Sequence, residues 1–422
     1  MDTTNLNCVI IGASHAGANC AMELRKQGWQ GNIYLIDTDA HLPYHRPPLS
    51  KEYLSIEEEG ATNFKPLFAL ERYQEEEITL QLGLKVTKVI KKLKSVILSN
   101  GETIRYDKLV IATGASAIVP PIEGIESCRK VSVLRSAKDA IQIQQDFKTS
   151  TNKEVVIIGG GYIGLETAAS LRKLGGNITV LEREERILAR VAPIALADYF
   201  QELHTANGVK IHTVTSAIKI KETDATIEIQ CNNGNVFTAD VLIVGTGVKP
   251  NTFVAEEIGA EINNGIKVDE NLQTTVEDVY AIGDVAQFYH PTYKEWMRLE
   301  SVQNAVDQAK IVASNIVGNT QNYNTIPWFW SDQYHVKLQM VGLSKGFTRM
   351  VIRTEADKKN CFSIWYFKND ALIAVDAVNN GKAFVLGGKF IQNKILVDPL
   401  KIADNTIPFK PNNFIKTETN AH

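Results

Sequence analysis

The chain has 422 residues, 44% hydrophobic and 22% charged, and its 45 basic and 48 acidic side chains leave a formal charge of −3. That length suggests two or three domains with cores of their own, the composition excludes a disordered chain, and the near-neutral balance gives no basic field for nucleic acid. The longest apolar runs, such as 155–158 and 241–244, are a few residues, far short of the roughly 20 that a membrane helix needs; the start MDTTNLNCVII has no basic n-region or signal core, so a cytoplasmic protein is expected.

In chain order, residues 8–37 read as a buried strand, a tight glycine turn, an amphipathic helix, a glycine break and a second strand ending in an acid. Residues 85–116 then read as β-rich hairpin structure, with Asn100-Gly101 as a turn signal, closing on the buried strand and glycine of VIATGAS. Residues 155–182 repeat the first pattern: Gly12 matches Gly159, Gly17 matches Gly164, and Leu24-Arg25-Lys26 matches Leu171-Arg172-Lys173. Residues 217–251 again run from polar strands to a buried strand and Thr-Gly. A short strand ending in Gly283-Asp284 follows, then a predicted helix over 302–316. Pro327 marks a boundary. Beyond it an antiparallel meander, a helix around 382–391 and a polar end from about 408, expected to be loosely ordered, complete the chain.

Each turn carries a phosphate-binding pattern. Gly12-Ala13-Ser14-His15-Ala16-Gly17 is G-x-S-x-x-G, and Gly159-Gly160-Gly161-Tyr162-Ile163-Gly164 is G-x-G-x-x-G. The first glycine makes the turn, a small middle residue lets the backbone approach a pyrophosphate, and the third lets helix pack on strand. The anion then meets the helix N-terminus. An acid about 20 residues on accepts hydrogen bonds from ribose hydroxyls and repels a 2′-phosphate. Glu182 fills that role in the second copy, favouring NADH; in the first copy Asp37 and Asp39 both qualify. Arg183 and Arg186, next to Glu182, read as solvated surface arginines.

Arg46-Pro47-Pro48-Leu49-Ser50-Lys51 places a cation at each end of a stiff turn, an arrangement suited to a pyrophosphate and a flavin edge. Glu166 stands where the first copy has Asn19.

With these motifs and the stretches LPYHRPPLSKEYL, VLRSAKDA, YAIGDVA, LESVQNA and PWFWSDQY, the chain over about 6–400 resembles the FAD-dependent ferredoxin reductase family, which includes putidaredoxin reductase, rubredoxin reductase, dioxygenase ferredoxin reductases and apoptosis-inducing factor. The resemblance implies an α/β fold with two Rossmann-like dinucleotide-binding domains on the glutathione-reductase-like plan, plus a C-terminal α+β reductase domain. The expected boundaries are 1–115 and 250–326 for a discontinuous FAD-binding domain, 116–249 for an NAD-binding domain, 327–410 for the reductase domain and 411–422 for a loose tail.

It further implies which residues hold each cofactor. For FAD they are Gly12, Ser14, His15, Ala16 and Gly17, an acid at Asp37 or Asp39, Arg46 and Lys51, Val86 through its backbone, Ala112, Thr113 and Gly114, Arg135, Gly283 and Asp284, and Glu300, Ser301 and Val302. For NADH they are Gly159, Gly161, Tyr162, Ile163, Gly164, Glu182, Arg190, Thr246 and Gly247. Glu166 would pair with Lys51 and contact the nicotinamide, and Trp330 would lie over the flavin at the exit for electrons; these three are the implied catalytic residues.

The five cysteines, Cys8, Cys20, Cys128, Cys231 and Cys361, form no C-x-x-C or C-x4-C pair, so a disulfide relay and a zinc site are not expected. The expected reaction is hydride transfer from NADH to FAD, then single-electron transfer to a [2Fe–2S] ferredoxin serving a P450 or dioxygenase. A rubredoxin as acceptor, or an NADH sensor whose redox state controls dimerisation, are the alternatives. The chain is expected to be a monomer or homodimer.

Overall fold

The computed structural model describes residues 3–54, 64–223, 226–355, 358 and 360–416. The internal repeat folds as two copies of one unit. The first is β1 (Asn7–Ile11), α1 (His15–Lys26) and β2 (Asn32–Asp37); the second is β3 (Glu154–Ile158), α2 (Tyr162–Lys173) and β4 (Asn177–Leu181). The central strands are buried along nearly their whole length, as parallel strands covered on both faces must be. In both copies the two strands pair in parallel over five residues, Asn7 opposite Asn32 and Glu154 opposite Asn177. Both helices carry basic residues in the last turn, where the dipole favours them, and are followed by a glycine at positive φ: Gly28 at 97° and Gly175 at 85°.

The chain divides into two compact units. One holds residues 1–40, 71–114 and 252–422; the other holds 41–70 and 115–251. In the first unit β1 is the middle of a five-stranded sheet, flanked by Lys108–Ile111 and Val279–Ala281 on one side and by β2 and Ile78–Leu82 on the other. The predicted β-hairpin structure forms from Val86 to Arg105, with Gly101 of its turn at φ 87°. Helix α3 (Val302–Ile316), at the predicted residues, packs along α1. The segment after Pro327 is a five-stranded antiparallel sheet covered by the helix Gly381–Gln392, with Trp365, Phe367, Val375 and Phe390 in its core.

The end of that domain departs from expectation. Residues Pro411–Phe414 form a short helix and Phe414 is fully buried. Arg353, 1% exposed, donates to the carbonyls of Ile402, Asp404 and Ile407, and its guanidinium lies 5.3 Å from the ring centroids of both Phe409 and Phe414. Two aromatic anchors in a polar segment thus hold 408–416 in place; the rest of the expected tail, 417–422, lies outside the described residues.

In the second unit β3 is the middle strand of a second five-stranded parallel sheet, between β4 and Val241–Val244. A capping box, Ser136 with Asp139, starts the helix Ala137–Thr149. The segment from His41 sits in this unit, whereas the sequence boundaries place it in the FAD-binding domain. The reason is local burial: Tyr44, Leu49, Tyr53 and Leu54 share a core with Ala137, Ile143, Phe147 and Leu171, and the Tyr44 hydroxyl accepts from the Ala137 amide.

Candidate functional site: two nucleotide cradles

Each cradle is built by backbone that only glycine allows at two points. Gly12 and Gly159 take φ of 104° and 112°, and a Cβ there would meet the Ala112 carbonyl oxygen at 2.2 Å and the Gly245 carbonyl oxygen at 2.4 Å. A Cβ on Gly17 would lie 1.8 Å from the Gly12 oxygen, and one on Gly164 2.2 Å from the Gly159 oxygen. The middle position differs. Ser14 and Gly161 are helix N-caps in extended backbone, both with φ −80°. That conformation suits any residue, so the first cradle tolerates serine. A Cβ at Gly161 would meet nothing within 4 Å, which marks an open mouth.

The acids take equivalent places. Asp37 accepts from the Ala13 amide through Oδ2 (2.6 Å) and from the Asp39 amide through Oδ1 (2.9 Å). Glu182 accepts from the Gly160 amide through Oε2 (2.7 Å) and from the Glu184 amide through Oε1 (2.8 Å). Asp37, not Asp39, is therefore the structural counterpart of Glu182. Neither α1 nor α2 has an acid in its first turn, so the amides there face no carboxylate of their own helix. These cradles fit dinucleotides: open small-residue loops, helix N-termini for a pyrophosphate, and a carboxylate beside each loop.

Around the first cradle, Ala112, Thr113 and Gly114 follow the strand Lys108–Ile111. Gly283, at φ 75°, is held by Gln308, whose Oε1 accepts its amide (2.7 Å), and the Asp284 carbonyl accepts from Arg298 (3.0 Å). Glu300 is ion-paired to Arg298 (2.7 Å), and Ser301 caps α3 just before Val302. Val86 is buried at the start of its strand. Trp330, half-buried on the first strand of the C-terminal sheet, lies 5.5 Å from Trp328, which in turn packs on Phe384.

In the second unit Thr246 donates to the Ile118 carbonyl (2.8 Å), and the place of a Cβ on Gly247 is 3.5 Å from Arg190 Nη2. Arg183 pairs with Glu184, and Arg186 donates to the Ala189 carbonyl. Arg46 donates to the carbonyl of Arg135, whose own guanidinium reaches the Ala115 carbonyl.

The structure brings Lys51 and Glu166 together in this unit. Glu166 is the fifth residue of α2, past the first turn, so the dipole at the helix start does not account for it. It is 2% exposed, and its Oε2 accepts from Lys51 Nζ (2.7 Å) and from the Ser50 hydroxyl (2.5 Å). Ser170, one turn on, donates to the Ser50 carbonyl. Helix α2 thus grips the proline turn at two points. Ser50 lies inside the Arg46–Lys51 turn, where the sequence assigns it no role; Arg298 and Gln308 carry no motif of their own, and nearness to LESVQNA is the one signal that points to them.

All five cysteines are buried and free. Burial pushes the Cys8 thiol up to about 12 and raises the Cys20 thiol as well. No group of three metal-ligating side chains occurs among the described residues, and no helix among them is long and apolar enough to cross a membrane.

Comparison with known proteins agrees with this arrangement. Residues 6–309 match the pyridine nucleotide-disulphide oxidoreductase family and 328–412 the reductase C-terminal domain. The chain is 35% identical to putidaredoxin reductase of Pseudomonas putida, with 96% of each chain covered. It is 34% identical to the ferredoxin–NAD(+) reductase component of the p-cumate 2,3-dioxygenase system of the same species, covering 95% of this chain and 97% of the relative. The crystal structure of the ferredoxin reductase for the CYP199A2 system of Rhodopseudomonas palustris superposes with a TM-score of 0.91 at 34% identity, covering 97% and 100% of the two chains. The chain belongs to the pyridine nucleotide-disulphide oxidoreductase family and also carries, over 328–412, a reductase C-terminal domain.

Proposed function

We propose that the protein is an FAD-dependent NADH:ferredoxin oxidoreductase, delivering single electrons to a [2Fe–2S] ferredoxin of a P450 or dioxygenase system in the cytoplasm. The observation that carries this reading is the pair of equivalent cradles in a chain whose five cysteines are all buried and unpaired. FAD, when bound, accepts electrons as a pair and releases them singly. The glycine loop of the first cradle and Asp37 would hold its pyrophosphate and adenosine ribose, with Asp284 against its ribityl chain. Glu182 would take the NADH ribose hydroxyls and disfavour a 2′-phosphate. Glu166, fixed by Ser50 and Lys51, would orient the carboxamide of the nicotinamide.

Relatives named for putidaredoxin, for a dioxygenase system and for a cytochrome P450 system support an iron–sulfur acceptor. The test is reduction of cytochrome c with NADH and NADPH side by side, across a panel of [2Fe–2S] ferredoxins and rubredoxins. Turnover that appears only with a ferredoxin present, and with NADH, is expected. Turnover indifferent to any iron–sulfur carrier would overturn the assignment. Trp330→Ala is expected to slow carrier reduction while leaving hydride transfer unchanged.

A further inference from the structure

The turn at Gly283 and Asp284 closes on the start of α1: a Cβ on Gly283 would lie 3.0 Å from the Ala16 side chain. Two buried side chains hold this turn from opposite ends. Gln308, fully buried on α3, accepts the Gly283 amide through Oε1 (2.7 Å). Arg298, its side chain 8% exposed, donates from Nη1 to the Asp284 carbonyl (3.0 Å) and pairs with Glu300 through the same nitrogen (2.7 Å). Each keeps one donor in reserve. Gln308 Nε2 and Arg298 Nε are buried and have no hydrogen-bond partner among the described residues. A buried donor without an acceptor is costly and rare in native proteins, so two flanking one turn point to acceptors supplied from outside the chain.

We propose that Arg298 and Gln308 are positioning residues that preset the Gly283–Asp284 turn for the phosphate and polyol chain of FAD, and that their reserve N–H groups find acceptors when that chain, with its ordered water, is in place. This rests on the reading of the first cradle as the FAD site. The full-length protein, stripped of flavin, is titrated with FAD and followed by quenching of flavin fluorescence. Gln308→Met and Arg298→Met are each expected to raise the FAD dissociation constant about tenfold, measured at a temperature where the apoprotein of each variant is still folded. Because both act through the turn, Gln308→Met added to Asp284→Asn is expected to weaken FAD less than the product of the two single effects. Visible circular dichroism of the bound flavin in Gln308→Met is expected to differ from wild type, which simple destabilisation would not produce.

If Gln308→Met does not fold, Arg298→Lys keeps a cation for Glu300 and the Asp284 carbonyl and removes the Nε donor; its FAD affinity is expected to fall while far-ultraviolet circular dichroism shows the fold preserved. Variants that bind FAD within twofold of wild type, or that combine with Asp284→Asn multiplicatively, would overturn the clamp alone. Wild-type apoprotein that takes up no FAD would instead bring down the cradle assignment, and the clamp with it.

Discussion

The two cradles differ least where they hold the backbone and most where chemistry is expected. Both place a glycine at positive φ after a buried strand, both press the third glycine onto the first, and both pin a carboxylate to the loop amide with bonds of 2.6 and 2.7 Å. They part at the fifth helical residue. Asn19 in α1 donates back to its own helix, at the His15 carbonyl, while Glu166 in α2 is buried and gathers Lys51 and Ser50. The repeat supplies the backbone common to both cradles; the departure from it supplies a carboxylate that meets the proline turn, 115 residues away in sequence.

The largest test of this equivalence is steric. Gly17→Ala is expected to give protein without flavin, judged from the visible spectrum, whereas Gly164→Ala should stay yellow and lose NADH binding about 100-fold or more. A yellow Gly17→Ala protein would break the parallel. Next comes the departure itself. Glu166→Gln is expected to slow flavin reduction by NADH about 100-fold in rapid mixing, at unchanged flavin content; a change below threefold would reduce Glu166 to a structural anchor for Lys51.

A matched pair sharpens the comparison further. Asp37→Asn should weaken FAD about tenfold and leave the KM for NADH alone, and Glu182→Gln should do the reverse. Cross-effects of equal size would mean that the two acids do not serve separate nucleotides.

A control lies outside both cradles. Asp376, 5% exposed in the C-terminal sheet, accepts from the Tyr366 hydroxyl (2.6 Å), yet burial outweighs that bond and pushes its carboxyl up to about 7 from 3.8. Between those values the folded protein holds a proton that the unfolded chain has released. Its contribution to stability is therefore present below about pH 4, is lost as pH rises toward 7, and is level above. The span is on the order of 4 kcal/mol. Asp376→Asn should flatten this part of the pH–stability curve, measured by denaturant unfolding, and leave both nucleotide affinities untouched.

Much of the molecule was legible in its sequence because its signals are local. Strand, glycine turn, helix and acid follow one another within 30 residues in each copy, and α3 falls on the predicted residues. Three features were not legible, for three physical reasons. The hold of Gln308 and Arg298 on the Gly283–Asp284 turn runs between side chains and backbone groups 14 to 25 residues apart, and no spacing in the sequence links those positions. The segment from His41 belongs with the second unit through burial of Tyr44, Tyr53 and Leu54, which its prolines and charges conceal. The chain end looked loose because it is polar and contains Pro408 and Pro411; yet Pro411 opens a helix, a position that suits proline, and Phe409 and Phe414 bracket a buried guanidinium. Pro411 is a helix start signal here, not a mark of disorder.

The interior placement of every sulfhydryl has a practical corollary. Thiolate is the species that alkylating reagents and peroxides attack, and these five sulfurs are shielded from both. The wild-type chain should therefore tolerate maleimides and mild oxidants during turnover, and one cysteine introduced on its surface would give a uniquely addressable point for a dye, an electrode or a tethered electron carrier.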